Sequence, residues 1–258
     1  MTKDEMLAKV KSADYKKKKV KNTHIKISNN IVEAKLFESN LLSLKTLLYI
    51  AMIDKDIDFK NTTETVYTLS LEHIKHTFDV DNQVFRQNIN SMLESSIVFS
   101  DNDNEYHAIS LLNEISIDYT LKTMTIHINN KILKEVINLK NKYTLIEHKT
   151  AFQLKNKHSL KIYTILARIA GYDEDIAKKK VYSLEELNLL LGTNYKTYSQ
   201  FKINVLDKVC KELDKVSDIS FVCDKNIIKK DLIESKIRNI GFEFYLKNNK
   251  NRQSSFDF

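Results

Sequence analysis

An α+β protein made of two tandem copies of one module is the fold class this sequence predicts, on three observations. The phrase SLKTLLYIA at 43–51 returns as SLKIYTILA at 159–167, 116 positions later. A Val-Tyr pair follows each copy, in VYTLSLEHIKHTF from Val66 and in VYSLEELNLLLGT from Val181, now 115 apart. Phe85 in VFRQNINSMLESSIVFS and Phe201 in QFKINVLDKVCKELDKVSDISFV restore the offset of 116. One shared apolar phrase is within the reach of chance. Three anchors in near-constant register, each leading into the same kind of element, point to internal duplication.

The elements are clearest in the second copy. Leu160, Tyr163, Ile165, Leu166 and Ile169 recur at helical spacing and predict a first helix. Ser183 with Glu186 three residues later is a capping-box arrangement that opens a second helix, and Gly192 closes it. Phe201, Val205, Val209, Leu213 and Val216 define a third, amphipathic helix of about four turns. Two alternating runs, ISFVC and IRNIGFEFYL, read as strands joined by the basic stretch DKNIIKKDLIESK (224–236). Helix, short strand, helix, turn, helix and hairpin is the order of a winged helix-turn-helix. The first copy follows it with helices at 41–54, 70–78 and 82–95 and with strands near 96–100 and 105–119. The predicted organisation is a basic N-terminal arm (1–23), a winged helix at 24–143, a second at 144–247 and a tail at 248–258.

Composition narrows the function. Three glycines and no proline leave turns to Asn, Asp and Lys, as in DNDN (101–104), and argue against a glycine-cradled nucleotide site. No G-x-x-x-x-G-K-[ST] loop and no His-x-His occur, so neither ATPase nor metal-dependent nicking chemistry is expected. Two cysteines and seven histidines are too few and too scattered for a structural zinc, and His73 and His76 lack a third ligand. The chain is read as a non-enzyme without cofactor or metal. No membrane span or secretory signal is expected, and the cysteine usage fits a reducing cytoplasm.

Charge is uneven. Residues 1–22 carry eight lysines against three acids, including the KKKK run at 16–19. Residues 23–143 carry twelve basic against sixteen acidic, and residues 144–250 carry twenty against fourteen. The basic C-terminal half predicts a polyanionic partner, which the winged-helix order reads as double-stranded DNA. In a winged helix the third helix enters the major groove and the hairpin reaches the backbone or minor groove. Stepping ~100° per residue, Lys196, Gln200, Asn204 and Lys211, with Asp207, fall opposite the apolar face, and Thr197 and Lys208 fall at its edge. Tyr195 and Tyr198 stand at the helix entrance. The wing adds Lys225, Lys229, Lys230, Lys236 and Arg238. The equivalent helix of the first copy offers Arg86, Gln87 and Asn88, with Arg86 its only basic residue, so an auxiliary DNA contact or a protein interface is expected there. The run EYHAISLLNEISIDYTLKTMTIHI (105–128) offers apolar strand edges that a second subunit could cover.

FQLKNKHSLKIYTILARIAGY, VYSLEELNLLLGTNYKTYSQFKINVLDKVCKELDKVSDISFVCDK and IRNIGFEF together resemble the replication initiator (Rep) proteins of iteron-containing bacterial plasmids. The likeness is strongest over about 150–246 and is collinear over 25–145. It implies two winged-helix domains, monomers that bind direct repeats at the plasmid origin, and work with host replication initiator and helicase proteins. It also implies dimers, joined largely through the N-terminal domain, that repress their own promoter. The family's DNA contacts carry by position onto Lys196, Lys202 and Asn204. Members commonly have an arginine-rich run after the Phe, where this chain has Lys202, Ile203 and Asn204. A winged-helix transcriptional regulator without initiator activity remains the alternative, and a partner-binding protein that has lost DNA contact is a third.

Overall fold

The computed structural model describes residues 24–35, 40–54, 56–59, 62–102, 104–171, 179–224 and 242–248. The chain enters through β1 (His24–Ser28) and the short helix α1 (Asn29–Glu33). It continues through α2 (Leu41–Ile53), β2 (Glu64–Ser70), α3 (Leu71–Phe78) and α4 (Asn82–Leu93). Four strands follow, β3 (Ser96–Asn102), β4 (Glu105–Ser110), β5 (Glu114–Asp118) and β6 (Thr123–Asn129), then the single turn α5 (Asn130–Leu133). The second half repeats the plan with β7 (Tyr143–Glu147), α6 (His148–Gln153), α7 (Lys157–Ala170), β8 (Lys179–Tyr182) and α8 (Leu184–Leu191). It ends with the long helix α9 (198–216), β9 (Ile219–Asp224) and β10 (Phe242–Asn248).

The duplication extends to the caps. Asn40 and Asn156, 116 apart, each accept a bond from the backbone N–H two residues on and start α2 and α7. Asp81 and Thr197, again 116 apart, cap α4 and α9 in the same way, three residues on. Ser70 caps α3 and Ser183 caps α8, the latter in the expected capping box with Glu186. Both of these helices end on a left-handed residue, Asp79 at φ 51° and Gly192 at φ 62°. Gly192 takes that conformation without the Cβ penalty that Asp79 bears. The second helices are therefore 113 residues apart rather than 115, because β2 runs two residues past its Val-Tyr pair before its cap.

The sheets correct one expectation. The order β2-β6-β5 in the first module matches β8-β10-β9 in the second, so the first wing is β5–β6, built from the end of the predicted run 105–119 and the segment after it, and the strand near 96–100 takes no part. β3 and β4 form a separate hairpin, joined to Lys35 by a bridge at Val98. The predicted strand 105–119 breaks at Leu111 and Leu112, which are both buried. Strand side chains alternate between faces, so two successive residues cannot both enter one core from an unbroken strand.

A further pairing crosses the predicted boundary at 143/144. β1 lies antiparallel to β7, with Ile25 opposite Ile146 and Ile27 opposite Thr144. α1 packs on α7, and α6 packs on α2 and α3. The two modules thus share one apolar core, and α2, buried from Leu42 to Ala51, has no solvent face along that stretch. No helix among the described residues is long and apolar enough to cross a membrane.

Candidate nucleic-acid interface

α9 is anchored from one side. Phe201, Val205, Val209 and Leu213 are buried, and Val216 is partly so. Tyr195 meets Phe201 edge-on, with ring centroids 5.8 Å apart. The turn ahead of the helix is tied by Asn188, a residue the sequence reading did not single out. Its Oδ1 accepts from Tyr195 N at 3.0 Å and from Thr193 Oγ1 at 2.8 Å, while its Nδ2 donates to the Tyr195 carbonyl at 2.8 Å. One side chain therefore fixes the angle at which α9 leaves α8. Between Lys202 and Leu206 the helix takes a π turn, in which Asp207 N donates to the Lys202 carbonyl five residues back. Such single-turn insertions widen a helix locally and often mark functional segments.

The outward face carries Lys196, Thr197, Gln200, Asn204, Lys208 and Lys211, all exposed. Tyr198 and Lys202 are half-buried, and Lys202 is paired with Asp207. Asn204 Nδ2 donates to the Gln200 carbonyl at 3.0 Å, which leaves Oδ1 and the second N–H directed to solvent. Ile203, 62% exposed, stands among these polar groups. An exposed apolar side chain there supplies the kind of surface that meets a thymine methyl. The sequence signal for it was its place one residue before Asn204 on the outward side. Lys225, Lys229, Lys230, Lys236 and Arg238 lie outside the described residues, as does the KKKK run.

The first module shows what the same position becomes without a basic face. Asn88 is the equivalent of Asn204 and makes the same bond back, Nδ2 to the Val84 carbonyl at 2.7 Å. Its Oδ1, however, accepts from Asn40 Nδ2 at 2.9 Å, which ties it to the start of α2. Gln87 is exposed. Arg86 lies over the ring of Tyr119, 4.5 Å from its centroid, which joins α4 to the tip of the β5–β6 wing. That tip is built by Asp118, whose Oδ1 accepts from Thr120 N and Leu121 N at 2.8 Å each, with Lys122 left-handed at φ 54°. Arg86 and Tyr119, the latter 51% exposed, form a cation–aromatic surface on this face, a partnership the sequence reading did not single out.

Among the described residues no group of three or more His, Cys, Asp or Glu could hold a metal ion. His73 meets Tyr49 at a tilt of 51°, with ring centroids 5.8 Å apart.

Residues 24–167 match the family described as Initiator Replication protein, WH1, and residues 183–244 match Initiator Rep protein, WH2. No curated protein matches the chain. Among solved structures it is similar to the Pi initiator protein, crystallised in complex with iteron DNA, at 17% identity and a TM-score of 0.65. That likeness covers 88% of this chain and 98% of the other, and it concerns the fold. The first match alone spans more than half of the sequence and runs past the predicted boundary into α7. On these matches the chain belongs to the initiator replication protein family, with one winged helix in each half.

Proposed function

We propose that this protein initiates plasmid replication by binding direct repeats at the origin as a monomer, without catalytic activity of its own, in a bacterial cytoplasm. The observation that carries the reading is the polar outward face of α9, set on a fully apolar inner face in the more basic half of the chain. Lys196, Lys208 and Lys211 would engage phosphates, while Gln200 and Asn204 would address base edges. Lys202, Thr197 and Tyr198 flank that contact, and the basic wing residues extend it along the backbone. The solved Pi initiator holds iteron DNA, and its likeness in fold supports the same class of partner here. In the first module, Arg86 and Gln87 form an auxiliary contact, while Asn88 positions α4.

The modules at 24–143 and 144–247 divide the work between self-association and DNA reading. β5 and β4 are edge strands in their sheets and give the first module a surface on which a second copy could add. In this reading dimers occupy an inverted operator and repress, whereas monomers occupy repeats of ~20 base pairs and recruit the host initiator and helicase. A two-fold axis cannot match a head-to-tail array. Analytical ultracentrifugation of the complexes tests this. One protomer on a single direct repeat and two on an inverted pair are expected. Obligate dimers on both would point to a plain regulator instead.

A further inference from the structure

The repeated phrase begins Ser-Leu-Lys, and its lysines take no part in the DNA face. Lys45 and Lys161 are equivalents 116 residues apart, and both are buried, at 1% and 4% exposure. Long charged side chains are ordinarily solvated, and a buried ammonium needs acceptors to offset its lost hydration. Each finds them across the junction between the modules. Lys45 Nζ, on α2, donates to the Phe152 carbonyl at 2.6 Å, on the last turn of α6. Lys161 Nζ, on α7, donates to the Ile31 and Ala34 carbonyls at 2.9 and 2.6 Å, at the end of α1. These are carbonyls that a helix end leaves without intrahelical partners.

The arrangement is reciprocal. α1 leads into α2 yet packs on α7, and α6 leads into α7 yet packs on α2. Each module's first helix therefore closes the short helix that leads into the other module. The β1–β7 pair lies beside this exchange, and the Glu33–Arg168 ion pair reinforces one side of it. Burial lowers Lys161 to about 7 and Lys45 to about 8, the latter with help from the charge of Lys155. Even a neutral amine keeps two N–H donors, so the bonds persist in either state. Apolar side chains of similar volume commonly stabilise as well as a buried charge does. What a lysine-to-carbonyl bond adds is direction.

We propose that Lys45 and Lys161 are positioning residues for DNA binding: their crossed bonds set the angle between the two winged helices. With that angle they set the separation of the two DNA segments that one chain holds at once. The second clause rests on the DNA-binding reading above; the first does not.

The test uses the full chain with Lys45→Met and Lys161→Met, singly and together. Spin labels at Asn90→Cys and Lys215→Cys, with Cys210 and Cys223 changed to serine, report the distance between α4 and α9. The parent should give a narrow distribution and the double variant one broader by about twofold or more, with unfolding still a single transition. A duplex selected from a random pool by the parent is then compared with the same duplex carrying two added base pairs between its halves. That insertion turns one half by about 70° against the other. It should weaken the parent by about 100-fold and the double variant by less than about 10-fold. An unchanged distribution in a folded variant would overturn the brace. Should the double variant not fold, the single Lys45→Met variant decides by the same width. Broadened labels with an unchanged insertion penalty would overturn the link to DNA spacing. A pool that yields no preferred duplex would instead remove the DNA-binding reading, and the label widths would still decide the brace.

Discussion

Asn204→Ala separates base reading from folding, because the structure predicts opposite outcomes for the two. The Asn204 carboxamide spends one N–H on the Gln200 carbonyl of its own helix, at 3.0 Å, on an exposed face. Such back-bonding competes with the helix ladder and contributes little to stability. Alanine removes it and gains up to about 0.7 kcal/mol of helix propensity, so stability should change by no more than about 0.5 kcal/mol in either direction. On DNA the same change deletes a potential bidentate contact with adenine, at a cost of about 1–3 kcal/mol, or about 5- to 150-fold. Urea unfolding measures the first quantity. Competition among four duplexes that differ at one base pair measures the second. An unchanged ranking of the four, with affinity intact, would mean that α9 does not present Asn204 to bases. A loss of stability above about 1 kcal/mol would mean that the side chain is structural, as its counterpart in the first module is.

That counterpart gives the second prediction. Asn88→Ala breaks the tie to Asn40 at the start of α2 and should cost about 1 kcal/mol in urea unfolding while leaving base preference unchanged. Lys208→Ala and Lys211→Ala should each weaken all duplexes alike and lessen the slope of log K against log salt by about 0.9, measured by titration at several salt concentrations. Phe201→Ala empties a fully buried site beneath the reading face and should cost about 3–5 kcal/mol by the same unfolding assay. His158 is held down to about 4 by burial, with the charge of Lys157 adding to it, against an ordinary 6.5. Below pH 6.5 the unfolded chain takes up a proton that the folded chain refuses until about pH 4. This contribution is therefore complete above 6.5 and lost as pH falls through 4, by at most about 3 kcal/mol and less because the ring is only partly buried. Urea titrations across this range should show a shallower fall in a His158→Gln variant.

Much of this was readable from the chain because local rules and the global fold agree. The capping box at Ser183, the stop at Gly192 and the apolar face from Phe201 to Leu213 are short-range signals, and each is met in the structure. Stepping along α9 also placed Lys196, Gln200, Asn204, Asp207 and Lys211 on the exposed side, since a buried face implies its opposite. The first wing was misplaced because 96–119 holds two strand-like runs, and only the buried pair Leu111–Leu112 shows where the chain leaves one sheet for another. The π turn at 202–206 leaves the apolar spacing nearly intact and so has no periodic signature. Least readable was the junction. α1 and α6 are five and six residues long, too short for a helical period, and Lys45 and Lys161 look like surface residues until their carbonyl partners, more than 100 positions away, come into place.

The central claim is that the outward face of α9 recognises a particular duplex. Equilibrium titration of the full chain against the direct repeats beside its own gene, and against a scrambled duplex of equal length and composition, tests it at several salt concentrations. The account predicts a preference of about 1,000-fold or more for the repeats, with both affinities falling steeply as salt rises. Equal affinity for the two duplexes at every salt concentration would contradict it.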